Sequence, residues 1–275
     1  MRLSVLSSGS SGNAVYVESS SGGVLVDAGV SCRRLKLLLA RIGRGLEDVG
    51  AVLVTHGHGD HTSGIRGILR ERSLPIFAAP GVAATVKAQD VRSRESLETC
   101  GFSATYFEVP HDTPTFGLQL SEGDRSVVVA TDLGEVTSAA LGMMRGADAL
   151  VLEANHDPDW LMGGPYSADL KRRVSSRYGH LSNHQAAEAA LALAPDGLKD
   201  LVLAHLSRKN NSPARATGTV TRVLREGGHG SVRVRAALAG HPTPVIEVGE
   251  PLVSDEYVYG HDSSSESAAR LFGVE

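Results

Sequence analysis

The sequence predicts an α/β protein built as a sandwich of strand and helix layers. Apolar strands such as ALVLEAN and LVLAHLS alternate with helical segments such as NHQAAEAALALA, and this mixture is typical of layered α/β domains. Several of the strands end on a histidine or an aspartate, so one edge of the sheets is expected to carry polar side chains. The 275 residues, 41% of them hydrophobic, are enough to bury a substantial core.

The first half is predicted to consist mainly of strands joined by turns. RLSVL is a short strand, and AVYVES and GVLVDAG form a hairpin with SSGG at its tip. Ser31 caps a helix over SCRRLKLLLARIG, whose leucines share one face. AVLVT is a buried strand before a helix in TSGIRGILRER, and the strand PIFAA precedes a helix from about Gly81 to Gln89. ATYFEVPH and FGLQLSEGDRSVVVATDLG supply three more strands, with EGDR as the turn between the last two.

The second half alternates helices and strands more regularly. We expect a helix near residues 136–144, the strand ALVLEAN and a helix around residues 168–176. The alanine-rich helix NHQAAEAALALA, capped by Ser182, is followed by the strand LVLAHLS. The helix ARATGTVTRVLREG and the strand SVRVRAAL complete the pattern.

Composition and charge restrict the partners and the location of the protein. The net charge of −4 provides no global basic field, so any contact with nucleic acid depends on local basic patches. Cys32 and Cys100 make no disulfide framework, and no apolar stretch approaches the roughly 20 residues of a membrane helix. The first residues also lack the pattern of a secretory signal, so we expect a cytoplasmic protein. Residues 1–250 are expected to form one domain, followed by a polar, serine-rich tail over residues 251–275.

Potential metal ligands are crowded into the stretch VLVTHGHGDHTSG, directly after a buried strand. They are His56, His58, Asp60 and His61. Further candidates stand at the ends of other strands: Asp27, His111, Asp132 and His205. Imidazole and carboxylate are the usual donors for Zn²⁺ and related divalent ions, and their number exceeds one tetrahedral site. Two ions about 3.5–4 Å apart can share a hydroxide and stabilise both sides of a displacement at phosphorus.

The spacing H-x-H-x-D-H after a strand resembles the signature of the metallo-β-lactamase superfamily. This resemblance implies a four-layer αββα sandwich with two metal ions at one edge of the sheets. The residues that it assigns to the first ion are His56, His58 and His111. The residues that it assigns to the second ion are Asp60, His61 and His205, with Asp132 as the bridge. Asp27 would not contact an ion itself and would support the ligand loop through hydrogen bonds.

A narrower resemblance involves LSSGSSGNAVYVES, TDLG, LEANHD, GHLSN and LAHLSRKNNSP, which together are similar to the WalJ/YycJ branch of the superfamily. It covers roughly residues 1–250 and implies a double-stranded DNA exonuclease that works in the 5′ to 3′ direction. The implied cofactors are two divalent ions: zinc suits the histidines, and manganese suits the two aspartates with an oxygen-rich substrate. The implied nucleophile is a hydroxide that bridges the ions.

The candidate catalytic residues are Asp60 and His180. His180 lies in GHLSNHQ at the start of a helix, where it can contact the scissile phosphate or protonate the leaving oxygen. The alternative for His180 is an ordinary histidine near a helix cap, which is the interpretation that we favour for His184.

A nuclease with a negative net charge needs some positive surface for phosphates. The candidates for nucleic-acid binding are Arg172, Arg173, Arg208 and Lys209. Charge runs on helices are usually solvated faces, and that is the default for the first two.

Two other functions stay open. The same metal site would serve a small-molecule hydrolase, such as a cyclic phosphodiesterase, a lactonase or a thioester hydrolase. A non-catalytic regulator with this fold is disfavoured because all seven ligand positions are present. The sequence does not indicate an oligomeric state.

Overall fold

Two seven-stranded sheets form the centre of the computed structural model, which describes residues 1–79, 81–86, 88–91 and 94–250. The elements of the first half are β1 (Arg2–Ser7), β2 (Ala14–Glu18), β3 (Gly23–Val26), α1 (Cys32–Ala40), β4 (Val49–Val54), α2 (Gly59–Thr62), α3 (Ile65–Glu71), β5 (Ile76–Ala78), α4 (Ala83–Val86) and β6 (Gln89–Asp90). Those of the second half are β7 (Ser96–Thr99), β8 (Phe102–Val109), β9 (Thr115–Glu122), β10 (Arg125–Ala130), α5 (Ser138–Met144), β11 (Ala149–Glu153), α6 (Pro158–Gly163), α7 (Ala168–Val174), α8 (Asn183–Leu193), β12 (Asp200–Ala204), α9 (Pro213–Glu226), β13 (Arg233–Ala236) and β14 (Ile246–Glu247).

The two sheets repeat one pattern of strand directions. The order is β14-β1-β2-β3-β4-β5-β6 in the first sheet and β13-β12-β11-β10-β9-β8-β7 in the second. The pairs from β1 to β3 and from β7 to β10 are antiparallel, and those from β3 to β6 and from β10 to β13 are parallel. The two halves of the chain therefore share a strand topology, although no repeat is evident in their sequences.

Alternating side chains along β10 show how the layers arise. Val127 and Val129 belong to the core cluster that both sheets share, whereas Val128 and Ala130 pack with apolar residues of α5, α8 and α9. The buried leucines of α1 and the isoleucines of α3 also belong to the core cluster that both sheets share. Because successive strand residues point to opposite faces, each strand of the second sheet serves both the inter-sheet core and a helix layer. The predicted αββα sandwich is confirmed.

Most predicted elements are present, and their caps are the expected ones. The hydroxyl of Ser31 accepts a hydrogen bond from the backbone N–H of Arg34, and that of Ser182 accepts one from Gln185. The prediction of a helix from about Gly81 to Gln89 was wrong at its ends, since α4 is short and β6 follows it. α2, β6, β7, α6 and β14 were not predicted.

Two expectations concern the periphery of the molecule. The predicted polar tail, residues 251–275, lies outside the described residues. Among the helices that the structure describes, none combines the length and the apolar character needed to cross a bilayer. Cys32 and Cys100 are both free thiols.

Candidate metal centre

Three strands are followed, within two residues, by a residue with left-handed backbone geometry. Asp27 follows β3 with φ of 62°, Asp132 follows β10 with φ of 59°, and His205 follows β12 with φ of 55°. Such conformations cost of order 1–3 kcal/mol each in residues other than glycine, and they persist only where the surroundings impose them. At His205 the backbone N–H donates to Ser8 Oγ at 2.6 Å, and the carbonyl accepts from Asn155 Nδ2 at 2.8 Å. The backbone thus turns sharply where these side chains leave it.

The structure brings all seven predicted ligand residues together. Ligand atoms within each of the following groups lie within 4.8 Å of one another. The groups are His56, His58 and His111; Asp60, His61 and His205; His56, His61 and Asp132; and Asp132, Glu153, His180 and His205. Asp132 therefore lies between the two triads that the sequence predicts. Their role as ligands remains a prediction.

Hydrogen bonds fix which ring nitrogens of the first triad face the centre. Thr55 donates its hydroxyl proton to Asp27 Oδ2 at 2.8 Å, so it accepts from His56 Nδ1 at 3.0 Å. The Nε2 atom of His56 is then an acceptor, 3.0 Å from Nδ1 of His58. His111 donates from Nδ1 to the carbonyl of Gly179 at 3.1 Å, which leaves its Nε2 atom without a proton. Burial lowers the pKa of His56 to about 3, and a neutral imidazole is the form that binds a metal.

The second triad lies in a strongly negative environment. His61 donates from Nδ1 to Asp27 Oδ2 at 2.7 Å, and its Nε2 atom lies 3.1 Å from Asp132 Oδ2. Burial disfavours the imidazolium of His61, but the Asp27 and Asp132 carboxylates outweigh burial and raise its pKa to about 10. Burial likewise opposes the charged form of His205, whose pKa the Asp132 carboxylate raises well above its usual range. The centre therefore favours positive charge.

Asp60 lies at the accessible side of this triad. Its Oδ2 atom is 3.7 Å from His61 Nε2 and 3.8 Å from His205 Nε2. Asn13, which follows the N-terminal serine-rich loop, holds its Nδ2 atom 2.9 Å from His61 Nε2 and 3.4 Å from Asp60 Oδ2. Burial opposes ionisation of Asp60, yet the neighbouring His205 lowers its pKa.

Glu153 is a residue of this centre that was not predicted. It ends β11 and is fully buried. Its Oε1 atom accepts from Nδ1 of His205 and from Nδ1 of His180, both at 2.8 Å, and Oε2 accepts from the backbone N–H of Leu133 at 2.9 Å. Burial alone would raise the pKa of Glu153, but the facing His180 and His205 lower it to about 2. An acidic residue at the end of an apolar strand is the signal that could have identified it.

A cavity of about 200 Å³ opens over the centre, and α7 forms one wall of it. Its lining includes His180, whose side chain is 23% exposed, and Arg173, which pairs with Asp112. Arg172 pairs with Asp169 instead and does not line the cavity. The sequence offered both arginines as candidates for nucleic-acid binding, with a solvated helix face as the default, and of the two only Arg173 lines this cavity.

The donor set fits divalent cations. Asp132 Oδ2 and His205 Nε2 are buried without a hydrogen bond of acceptable geometry among the described residues. Buried polar atoms of this kind are costly unless another partner satisfies them. Imidazole nitrogens and carboxylate oxygens are the ligands that zinc and manganese take in proteins.

Comparisons with known proteins agree with this geometry. A sequence model of the β-lactamase superfamily domain matches residues 23–206. The exodeoxyribonuclease WalJ of Streptococcus pneumoniae serotype 2 is 35% identical over 264 residues, which cover 90% of this chain and 98% of WalJ. The exodeoxyribonuclease YycJ of Bacillus anthracis is 34% identical over 242 residues, which cover 84% of this chain and 91% of YycJ.

The fold has solved counterparts as well. The metallo-β-lactamase fold protein YhfI from Bacillus subtilis gives a TM-score of 0.68 at 18% identity, over 88% of this chain and 98% of YhfI. The chain therefore belongs to the β-lactamase superfamily, as a metal-dependent hydrolase of the branch that contains WalJ and YycJ.

Proposed function

We propose that the protein is a two-metal phosphodiesterase that degrades double-stranded DNA from 5′ ends. The observation that carries this proposal is the position of Asp132 between two triads of nitrogen and oxygen donors beneath one cavity. The names of the WalJ and YycJ relatives support DNA as the substrate.

The seven candidate ligand residues would divide between the two ions as the superfamily resemblance implies. His56, His58 and His111 would hold one ion, Asp60, His61 and His205 the other, and Asp132 would contact both. When bound, zinc or manganese ions supply Lewis acidity and a water nucleophile at neutral pH. Asp27 orients His61, and Glu153 orients His205, because each carboxylate accepts the Nδ1 proton of its histidine.

His180 is suited to protonate the departing 3′ oxygen, which would leave 5′-phosphate products. Its Nδ1 proton is held by Glu153, so its Nε2 atom is the one available to the cavity that it lines. Burial opposes the imidazolium of His180, but the Glu153 carboxylate outweighs burial and raises its pKa. A histidine with a raised pKa stays protonated up to a higher pH and can therefore donate the required proton at neutral pH.

The phosphate backbone of the substrate requires cations near this centre. Arg173 is 70% exposed at the wall of the cavity, so its guanidinium can reach a phosphate beside the scissile one. Arg208 and Lys209 lie three and four residues after His205 and extend the positive surface beyond the cavity. A cavity of about 200 Å³ can face the surface of a duplex and contact one of its strands.

The test combines metal analysis with digestion of labelled DNA. We expect about two equivalents of zinc or manganese in the pure protein, and a 5′ label should leave a duplex before a 3′ label does. His58→Ala should lose digestion, whereas the matched variant His184→Ala, at an exposed position of α8, should keep it.

Two results would contradict the proposal. One is equal release of both end labels. The other is efficient hydrolysis of cyclic nucleotides, lactones or thioesters with no hydrolysis of DNA, which would establish the small-molecule alternative.

A further inference from the structure

A second depression adjoins the candidate metal centre on the side of His205. This depression, the serine-loop groove, has a volume of about 630 Å³. Its walls include the loop Ser8–Ser11, Tyr166, and the segment 206–209 that follows His205. Ser10 lines both this groove and the cavity over the metal centre. A ligand can therefore extend from one into the other without leaving the surface.

The charges of the groove are of one sign, although the chain has a net charge of −4. Among the described residues that line it, the charged side chains are Arg208 and Lys209, and none of the lining residues carries a carboxylate. Arg208 Nη2 lies 3.3 Å from Ser11 Oγ, and Lys209 Nζ lies 5.6 Å from the centroid of the Tyr166 ring. Cations beside a half-buried aromatic ring are the combination that binds phosphates and stacks bases in proteins that hold single strands.

The serine loop is fixed to residues of the metal centre at both of its ends. Ser8 Oγ accepts from the backbone N–H of His205 at 2.6 Å, and beyond the other end the backbone N–H of Asn13 donates to the carbonyl of Asp60 at 2.8 Å. Gly12 has φ of 139°, and a Cβ atom there would lie 2.6 Å from the carbonyl oxygen of Gly29. The loop is thus held in one shape, and a ligand in the groove is placed at a fixed distance from the reacting phosphate.

We propose that the serine-loop groove binds unpaired nucleotides of the substrate strand, with a base on the Tyr166 ring and phosphates on Arg208 and Lys209. The proposal rests on the proposed nuclease function. The volume of the groove is that of a ligand pocket, roughly 300–1,000 Å³, and a base inside a duplex has both faces covered by its stacked neighbours, so it cannot offer one to Tyr166. A DNA duplex must therefore open at its end before its strand can occupy both the groove and the metal centre.

The test measures binding of a phosphorothioate-linked octathymidylate, a blunt DNA hairpin and a hairpin with a forked end of four unpaired nucleotides. The metal-loaded full chain should bind the forked hairpin more tightly than the blunt one. Tyr166→Ala should weaken octathymidylate binding by roughly 5- to 150-fold, as expected for the loss of one stacked base. Tyr166→Phe should keep the affinity, because it keeps the ring.

The phosphate contacts have a separate readout. Arg208→Ala and Lys209→Ala should each lower the slope of log affinity against log salt concentration by about 0.7, the value for one phosphate contact on a single strand. Arg222→Ala removes an exposed cation of α9 that pairs with Glu226, and it should leave the slope unchanged. Unchanged octathymidylate binding by Tyr166→Ala, or equal affinity for the blunt and forked hairpins, would overturn the proposal.

Hydrolysis of bis(4-nitrophenyl) phosphate separates the failure of this proposal from the failure of the proposed function. This small diester needs the metal centre and does not reach the groove, so its hydrolysis by the wild-type protein reports on the centre alone. Activity on the small diester and on DNA with unaltered octathymidylate binding in Tyr166→Ala would reject the groove alone. A wild-type protein that hydrolyses neither diester would reject the nuclease function and, with it, this role of the groove.

Discussion

Glu153→Gln is the substitution that the structure makes most informative. The Glu153 carboxylate accepts two imidazole protons on one oxygen and the Leu133 N–H on the other. A glutamine amide can keep its oxygen toward His180 and His205 only by placing its NH₂ group against that backbone N–H. The variant therefore loses at least one hydrogen bond to a charged group, worth about 1.5–3 kcal/mol, together with the negative charge between the rings.

The loss should appear in metal affinity and in the pH profile. Removing a carboxylate that orients a metal-binding histidine weakens binding about 10- to 100-fold, or about 1.4–2.7 kcal/mol. Glu153 raises the pKa of His180, so His180 should lose its proton at a lower pH in the variant. As the pH rises, the activity of the variant should therefore begin to fall at a lower pH than that of the wild type. The assays are competition with a chromogenic chelator and the rate of DNA digestion against pH.

Glu108→Gln, an exposed position on β8, is the matched control and should change neither quantity. Metal affinity within twofold of the wild type, with an unmoved alkaline limb, would refute the positioning role of Glu153.

Three further predictions concern single side chains. His180→Ala should slow the chemical step by roughly two to four orders of magnitude if His180 is the general acid, and a single-turnover rate within a few-fold of the wild type would exclude that role. Arg173→Ala should weaken DNA binding and lower its salt slope by about 0.9, whereas Arg172→Ala should change both little, as fluorescence anisotropy at several salt concentrations would show. Burial lowers the pKa of His156 to about 4, so the unfolded chain takes up its proton first as the pH falls. Stability that is complete above about pH 6.5 should then decrease by up to about 3 kcal/mol towards pH 4, and His156→Asn should remove this part of the decrease in urea titrations.

The fold was predictable because its core strands and helices carry strong patterns. The buried runs of β4, β10, β11 and β12 and the capped helices α1 and α8 all follow ordinary rules of burial and capping. By contrast, β7 alternates exposed and half-buried residues, and α6 buries only Leu161. Short elements with so little apolar burial have no periodic signal in the sequence, so they were missed.

The centre was predictable in its composition and not in its geometry. The spacing of His56, His58, Asp60 and His61 identified the superfamily, and strand ends supplied the remaining ligand candidates. Glu153 was missed because only histidines and aspartates at strand ends were considered, although Glu153 also ends an apolar strand. The sharp backbone turn at Asp27 also has no sequence signal, since aspartate adopts left-handed geometry only occasionally.

The candidate ligands come from both sheets, and this has a consequence for how the molecule holds together. His56, His58 and His61 follow the first sheet, whereas His111, Asp132 and His205 follow the second. Neither half of the chain alone offers a complete set of candidate ligands, so a cation bound at this centre would link the two sheets at their shared edge. At a free metal concentration 100 times its dissociation constant, each such ion adds about 2.7 kcal/mol to the stability of the joined state. Chelation should therefore lower the unfolding temperature of the protein.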